Sequence, residues 1–163
     1  VQFKQVVADY HQPLIGLAFK MVHRWEIARD LTQDVFLRLW KERRSVRFSD
    51  RIYTLLYRIA MNVCIDYLRK TKEELLPPAD QIKGDSEHRV EENELLEIIR
   101  TCVARLLPKQ KAVFVLREVE GFDISEIAAI LKTSRSNLHL ARKNIRSMLR
   151  DEYQIKEDYL YEL

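Results

Sequence analysis

The chain has 163 residues, a formal charge of +3, and only three glycines and four prolines. So few turn-formers exclude an all-β plan, and no apolar run approaches the roughly 20 residues a membrane span requires. A hydrophobic share of 47% beside 33% charged residues instead fits an all-α protein of one or two small domains. No signal peptide is legible, and a start at Val1 rather than Met is compatible with residues preceding it. Cys64 and Cys102 stand alone in helical patterns and read as buried free thiols of a reducing compartment.

In chain order, the first helix is expected over Phe3 to Val22, interrupted at Pro13, which should begin a new turn. A second, Glu26 to Lys41, places Ala28, Leu31, Val35 and Leu39 on one face. The basic stretch "ERRSVRFSDR" follows, and then a third helix from Tyr53 to Lys70. That helix is expected to bury Ile52, Leu56, Ile59, Ala60, Val63 and Tyr67. "KEELLPPADQIKGDSEHRVEENE" breaks the pattern with Pro77-Pro78, Gly84 and a run of acids, and leads into a helix near Glu91. Such a stretch is unusual inside one compact domain. The expected plan is therefore two small helical domains, 1–72 and 93–163, joined by an acidic flexible linker at 73–92. Downstream, a helix starts at Pro108 and stops at Gly121.

Asp123 and Glu126 form a capping-box pattern ahead of a short helix with Ile124, Ile127, Ala128 and Leu131 on one face. Ala128 is small enough to let another helix cross closely. Ser134 can cap the next helix, whose inner stripe is Leu138, Ala141, Ile145 and Leu149. Arg135, Ser136, His139, Lys143, Arg146 and Arg150 fall opposite. From Lys132 to Arg150 there are six cations and no acid. Two short helices, a tight turn and a basic outer face make a helix-turn-helix, the second domain's closing element. Arg135 suits guanine or phosphate, Asn137 suits an adenine edge, and Leu140 on the outer face suits a thymine methyl or a protein. An ordinary solvated basic helix is the alternative.

Charge is segregated along the whole chain. Residues 1–72 hold 14 Lys/Arg against 7 Asp/Glu, whereas residues 73–107 hold 4 against 9. That asymmetry suggests two surfaces for a polyanion, divided by an acidic spacer. On the third helix Arg58, Asn62 and Asp66 recur at i+4 with Arg69 alongside, near Tyr53 and Tyr57. Aromatic residues among cations suit unstacked bases, although i, i+4 pairing alone would also explain the stripe. On the second helix Asp30, Gln33, Asp34, Leu37 and Lys41 share the face opposite the core. Acids around an exposed leucine suit a protein partner, or simply water. With no Gly-rich phosphate loop, metal-ligand spacing or nucleophile–base motif, and with His11, His23, His88 and His139 scattered singly, no catalysis, cofactor or metal is expected.

Taken in order, "ARDLTQDVFLRLW", "LYRIAMNVCIDYLRK" and "LPKQKAVFVLREVEGFDISEIAAIL" resemble the extracytoplasmic-function (group 4) sigma factors of bacterial RNA polymerase. The resemblance implies a cytoplasmic initiation subunit that binds core RNA polymerase and directs it to promoters. A stand-alone helix-turn-helix regulator binding duplex DNA as a dimer is the competing reading. By the resemblance, Asp30, Gln33, Asp34, Leu37 and Lys41 would dock on the polymerase. Arg47, Phe48, Ser49, Asp50, Arg51, Tyr53, Arg58, Asn62 and Arg69 would capture the opened −10 strand. Arg135, Ser136, Asn137, His139, Leu140, Lys143, Asn144 and Arg146 would read the −35 duplex. An anti-sigma partner is implied as well, with Leu140 as an apolar anchor. Two positions depart from the family pattern: Leu55 stands where Trp is frequent, and Arg142 where an apolar residue is usual.

Overall fold

The computed structural model describes residues 3–45, 52–71, 90–132 and 135–155. The loop residues Arg47, Phe48, Ser49, Asp50 and Arg51, the Ser134 cap and most of the 73–92 linker lie outside the described residues. Every regular element among the described residues is helical.

Helix α1 runs from Phe3 to Val22 without the expected interruption, with Pro13 inside it. Pro13 is exposed while Leu14, Ile15, Leu17 and Ala18 are buried. The hydrogen bond that the proline removes is therefore lost on the solvent side, and packing of the other face holds the helix. His23 ends α1 in the left-handed region, φ 54°, and α2 (Trp25–Glu42) turns back along α1. Stacking of Phe19 on Trp25, with centroids 3.8 Å apart, closes the turn. The edge-to-face contact of Phe3 with Trp40 closes the far end of the antiparallel pair.

Helix α3 (Ile52–Lys70) lies across this pair. It buries Ile52, Leu56, Ala60 and Val63 as expected, leaves Ile59 and Tyr67 half-buried, and also buries Met61, Cys64, Ile65 and Leu68. At 100° per residue that arc covers more than half the helix circumference, so α3 needs cover on a second side.

The C-terminal unit supplies the cover. Helix α4 spans Val90–Ala104, and α5 spans Pro108–Phe114 with Pro108 in its first turn. A π-helical segment, Val115–Val119, continues α5. Gly121, at φ 77°, ends it as the sequence implies, because an L side chain would be strained there. Helix α6 (Ile124–Leu131) opens with the anticipated capping box: Asp123 accepts from the Glu126 amide at 2.8 Å, and Glu126 accepts from the Asp123 amide at 2.9 Å. Its buried residues are Ile127 and Ile130; Ala128, expected to face inward, is exposed. Helix α7 (Arg135–Asp151) buries Leu138, Ala141, Ile145 and Leu149, the four residues of the expected stripe.

Two cores result. Cys102, Val103, Leu106, Phe114, Ala141, Ile145 and Leu149 form one within the C-terminal unit. The other joins α1, α2 and α3 to Ala112, Val113, Val115, Leu116, Ile127, Ile130 and Leu138. The two helical units thus share apolar cover.

Candidate nucleic-acid and polymerase interfaces

On α2, the buried residues Ala28, Leu31, Thr32, Val35, Phe36 and Leu39 face α1 and α3. Asp30, Gln33, Asp34, Leu37 and Lys41 are therefore all turned outward. Leu37 is 57% exposed and Trp40, one helical step beside it, 45%. Sequence reasoning missed Trp40, although its i+3 spacing from Leu37 places it on that face. The Arg43 guanidinium lies 3.9 Å from the Trp40 ring centroid, and its Nη1 donates to the Trp40 carbonyl at 2.7 Å. The apolar patch is thus flanked by charge, with the Arg43 guanidinium over the Trp40 ring.

On α3, Asn62, Asp66 and Arg69 are exposed on one side, as the i+4 spacing implies. Among the described residues no ion pair laces this stripe, so helical pairing is not what keeps it polar. Tyr53 and Arg58 are half-buried and line a cleft of about 500 Å³ with Thr54, Leu55, Ser125, Glu126 and Ala129. Arg58 Nη2 donates 2.6 Å to the Ala129 carbonyl, while its Nε is buried without a partner. Tyr57 packs edge-on against Phe122 at 5.1 Å, and burial pushes its hydroxyl above the usual tyrosine range. The expected −10 residues that are described therefore divide into an open set, Asn62 and Arg69, and a half-buried set, Tyr53 and Arg58.

On α7, Arg135, Ser136, His139, Lys143 and Arg146 are exposed, and Leu140 is 41% exposed. No acid interrupts them between Lys132 and Arg150. Asn137 is half-buried. Asn144 donates 3.1 Å from Nδ2 to Oε1 of the buried Gln110, so that side chain also ties α7 to α5. Arg142, the departure at the edge of the inner stripe, donates from Nε to Glu118 Oε1 at 2.9 Å, with a second bond from Nη2. It thereby anchors α7 to the π-helical segment, and the inner stripe packs without it. The turn into α7 carries Lys132 in the left-handed region, φ 58°.

Residues 6–74 match the family description Sigma-70 region 2, and residues 96–145 match Sigma-70, region 4. The chain belongs to the sigma-70 family. It is similar to the ECF RNA polymerase sigma factor SigW of Bacillus subtilis, 29% identical over 91% of this chain and 89% of that one. Similarity to the ECF RNA polymerase sigma-E factor of Haemophilus influenzae is also 29%, over 90% and 87%. The RNA polymerase sigma factor YlaC of Bacillus subtilis is 28% identical over 85% and 86%. The extracytoplasmic-function group is thus the right one, and this chain is an alternative sigma factor that directs RNA polymerase to promoters. Its partners are core RNA polymerase and promoter DNA. Possession of both regions in order disfavours the stand-alone regulator. No described helix is long and apolar enough to cross a membrane.

Proposed function

We propose that the three exposed faces divide the work of initiation. The face of α2 bearing Asp30, Gln33, Asp34, Leu37 and Lys41, extended by Trp40, docks on core polymerase. Tyr53, Arg58, Asn62 and Arg69 of α3, with the basic loop at 47–51, capture the opened −10 strand. The outer face of α7, from Arg135 to Arg146, reads the −35 duplex. The factor acts in the cytoplasm without catalysis of its own, and an anti-sigma factor uses Leu140 as an apolar anchor.

The observation that carries this reading is the chemistry of the separate faces. An acidic–apolar surface repels DNA and suits protein, whereas the acid-free face of α7 suits phosphate. A polar stripe carrying an amide and a cation suits exposed base edges.

The test separates opening DNA from binding it, on a promoter found by sequencing transcripts of the reconstituted holoenzyme. Asn62→Ala holoenzyme should form closed complexes yet show weak permanganate reactivity near the start site, and a pre-melted template should rescue it. Lys143→Ala should instead lose closed-complex affinity and flatten the salt dependence by about one unit of slope. Equal rescue of both variants, or of neither, would mean that the roles are wrongly assigned.

A further inference from the structure

Helix α7 is held from its inner side by Leu138, Ala141, Ile145 and Leu149. At about 100° per residue these span an arc of about 80°, with only the methyl of Ala141 at one edge. Packing of so narrow a stripe decides which side of α7 faces inward, but it resists rotation about the helix axis weakly. For a helix that reads bases, rotation matters. A roll of about 20° moves side-chain tips, about 5–6 Å from the axis, by about 2 Å, which takes a base contact out of hydrogen-bond range.

Two polar ties straddle that stripe. Arg142 donates to Glu118 from both Nε and Nη2, and Asn144 donates from Nδ2 to Gln110 Oε1. Arg142 and Asn144 stand about 160° apart round α7, one beyond each edge of the stripe, so each opposes the roll that the other would permit. Their partners share one continuous element, α5 with its π-helical extension. In a straight α-helix Gln110 and Glu118 would stand about 80° apart round the axis. The π turns close i→i+5 and rotate less per residue, which brings Glu118 back toward the side of Gln110. The segment's end is itself fixed: the Glu120 amide donates to the Val115 carbonyl at 2.9 Å, and Arg117 Nη1 to the Phe122 carbonyl at 3.0 Å.

We propose that the π-helical segment sets the roll of the −35 reading helix, and that Arg142 and Asn144 are positioning residues rather than DNA contacts. This rests on the assignment of α7 to the −35 duplex made above, and it moves Asn144 out of the contact set. Arg135, Ser136, His139, Lys143 and Arg146 remain to face DNA, all of them exposed. The Arg142 guanidinium, shared with a carboxylate of its own chain, has its charge offset and its planar fork occupied. Glu118 gives α7 this tie from the neighbouring segment, so the outer face of α7 stays free of acids.

The test reads base preference and salt dependence of closed complexes formed by the holoenzyme on promoters with a randomised −35 element. Gln110 is buried in α5 and Glu118 lies on the π-helical segment, off the reading face. Gln110→Leu and Glu118→Ala should nonetheless each lower −35 base discrimination about five- to tenfold, with the salt slope unchanged. Arg142→Ala should match Glu118→Ala, and the two combined should lose no more than either alone. The exchanged pair, Glu118→Arg with Arg142→Glu, should restore most of the discrimination. Glu118→Ala and the exchanged pair alter no buried residue, so they carry the test even if Gln110→Leu unfolds the unit. A salt slope flattened by about one unit in Arg142→Ala, with discrimination intact in Glu118→Ala, would make Arg142 a phosphate contact and overturn the proposal. An exchanged pair that restores nothing would overturn it too. Base preference untouched by Arg135→Ala and His139→Ala would instead overturn the assignment of α7 to the −35 element.

Discussion

Lys111→Met should make this protein more stable. The lysine is 3% exposed, in α5 against α3. Burial pushes its ammonium down to about 8 from an ordinary 10.5, with only the nearby Cys64 thiol acting the other way. That gap corresponds to about 3 kcal/mol at about 1.4 kcal/mol per pH unit. Below pH 8 both folded and unfolded chains carry the charge, and the folded chain bears the whole cost. Between 8 and 10.5 the folded chain gives up its proton first, so stability rises with pH; above 10.5 the cost is gone. Methionine keeps the unbranched shape and removes the charge, so the variant should gain about 3 kcal/mol at pH 7. In thermal terms that is roughly 6–12 °C for a chain of this size. Urea titrations of both proteins at pH 7, 8, 9 and 10 should show the gap narrowing steadily. A variant no more stable at pH 7, or a gap that stays constant with pH, would refute the argument.

His23 should govern the acid side. Burial first, then Lys111 and Arg100, lower its imidazole to about 4 from 6.5. The unfolded chain therefore takes the proton first, and stability should fall as pH drops from 6.5 to 4; His23→Asn, which tolerates the left-handed backbone, should flatten that fall in urea titrations. Leu149→Ala, at a fully buried position, should cost about 2–5 kcal/mol, whereas Leu140→Ala on the outer face of the same helix should stay within about 0.5 kcal/mol by the same measurement. Asp34→Lys with Leu37→Glu should abolish co-elution with core polymerase while leaving the melting temperature nearly unchanged, since both side chains are exposed; undiminished co-elution would remove α2 as the docking element.

The parts of this molecule legible in its sequence are those decided locally. The α6 capping box needs only Asp123 and Glu126, and the inner stripe of α7 needs only its period of four and three. The face of α2 followed for the same reason, apart from Trp40, which an apolar side chain disguised as core. What could not be read depends on distant partners. Met61, Ile65 and Leu68 look surplus to a three-helix unit, yet they are buried in the core that α3 shares with the C-terminal unit. Buried Lys111 and Gln110 look like surface residues, because burial of a polar side chain leaves no periodic signal. Pro13 misled because a proline breaks a helix in isolation, and only tertiary packing decides whether the lost bond matters. Ala128 was placed inward in a helix of eight residues, too short for its period to distinguish that position from Ile130.

The two thiols set a limit on what this factor can sense. Burial lifts the Cys64 thiol to about 12, and the Cys102 thiol is also pushed up. At neutral pH the Cys64 thiol therefore stays protonated rather than forming the thiolate that attacks peroxides and disulfides. Helix packing also shuts both atoms away from oxidants. Oxidative stress therefore has no direct chemical entry at either position while the helices stay packed. A thiol-oxidising stimulus acting on transcription through this factor would have to be transduced by another molecule and delivered as a change in binding.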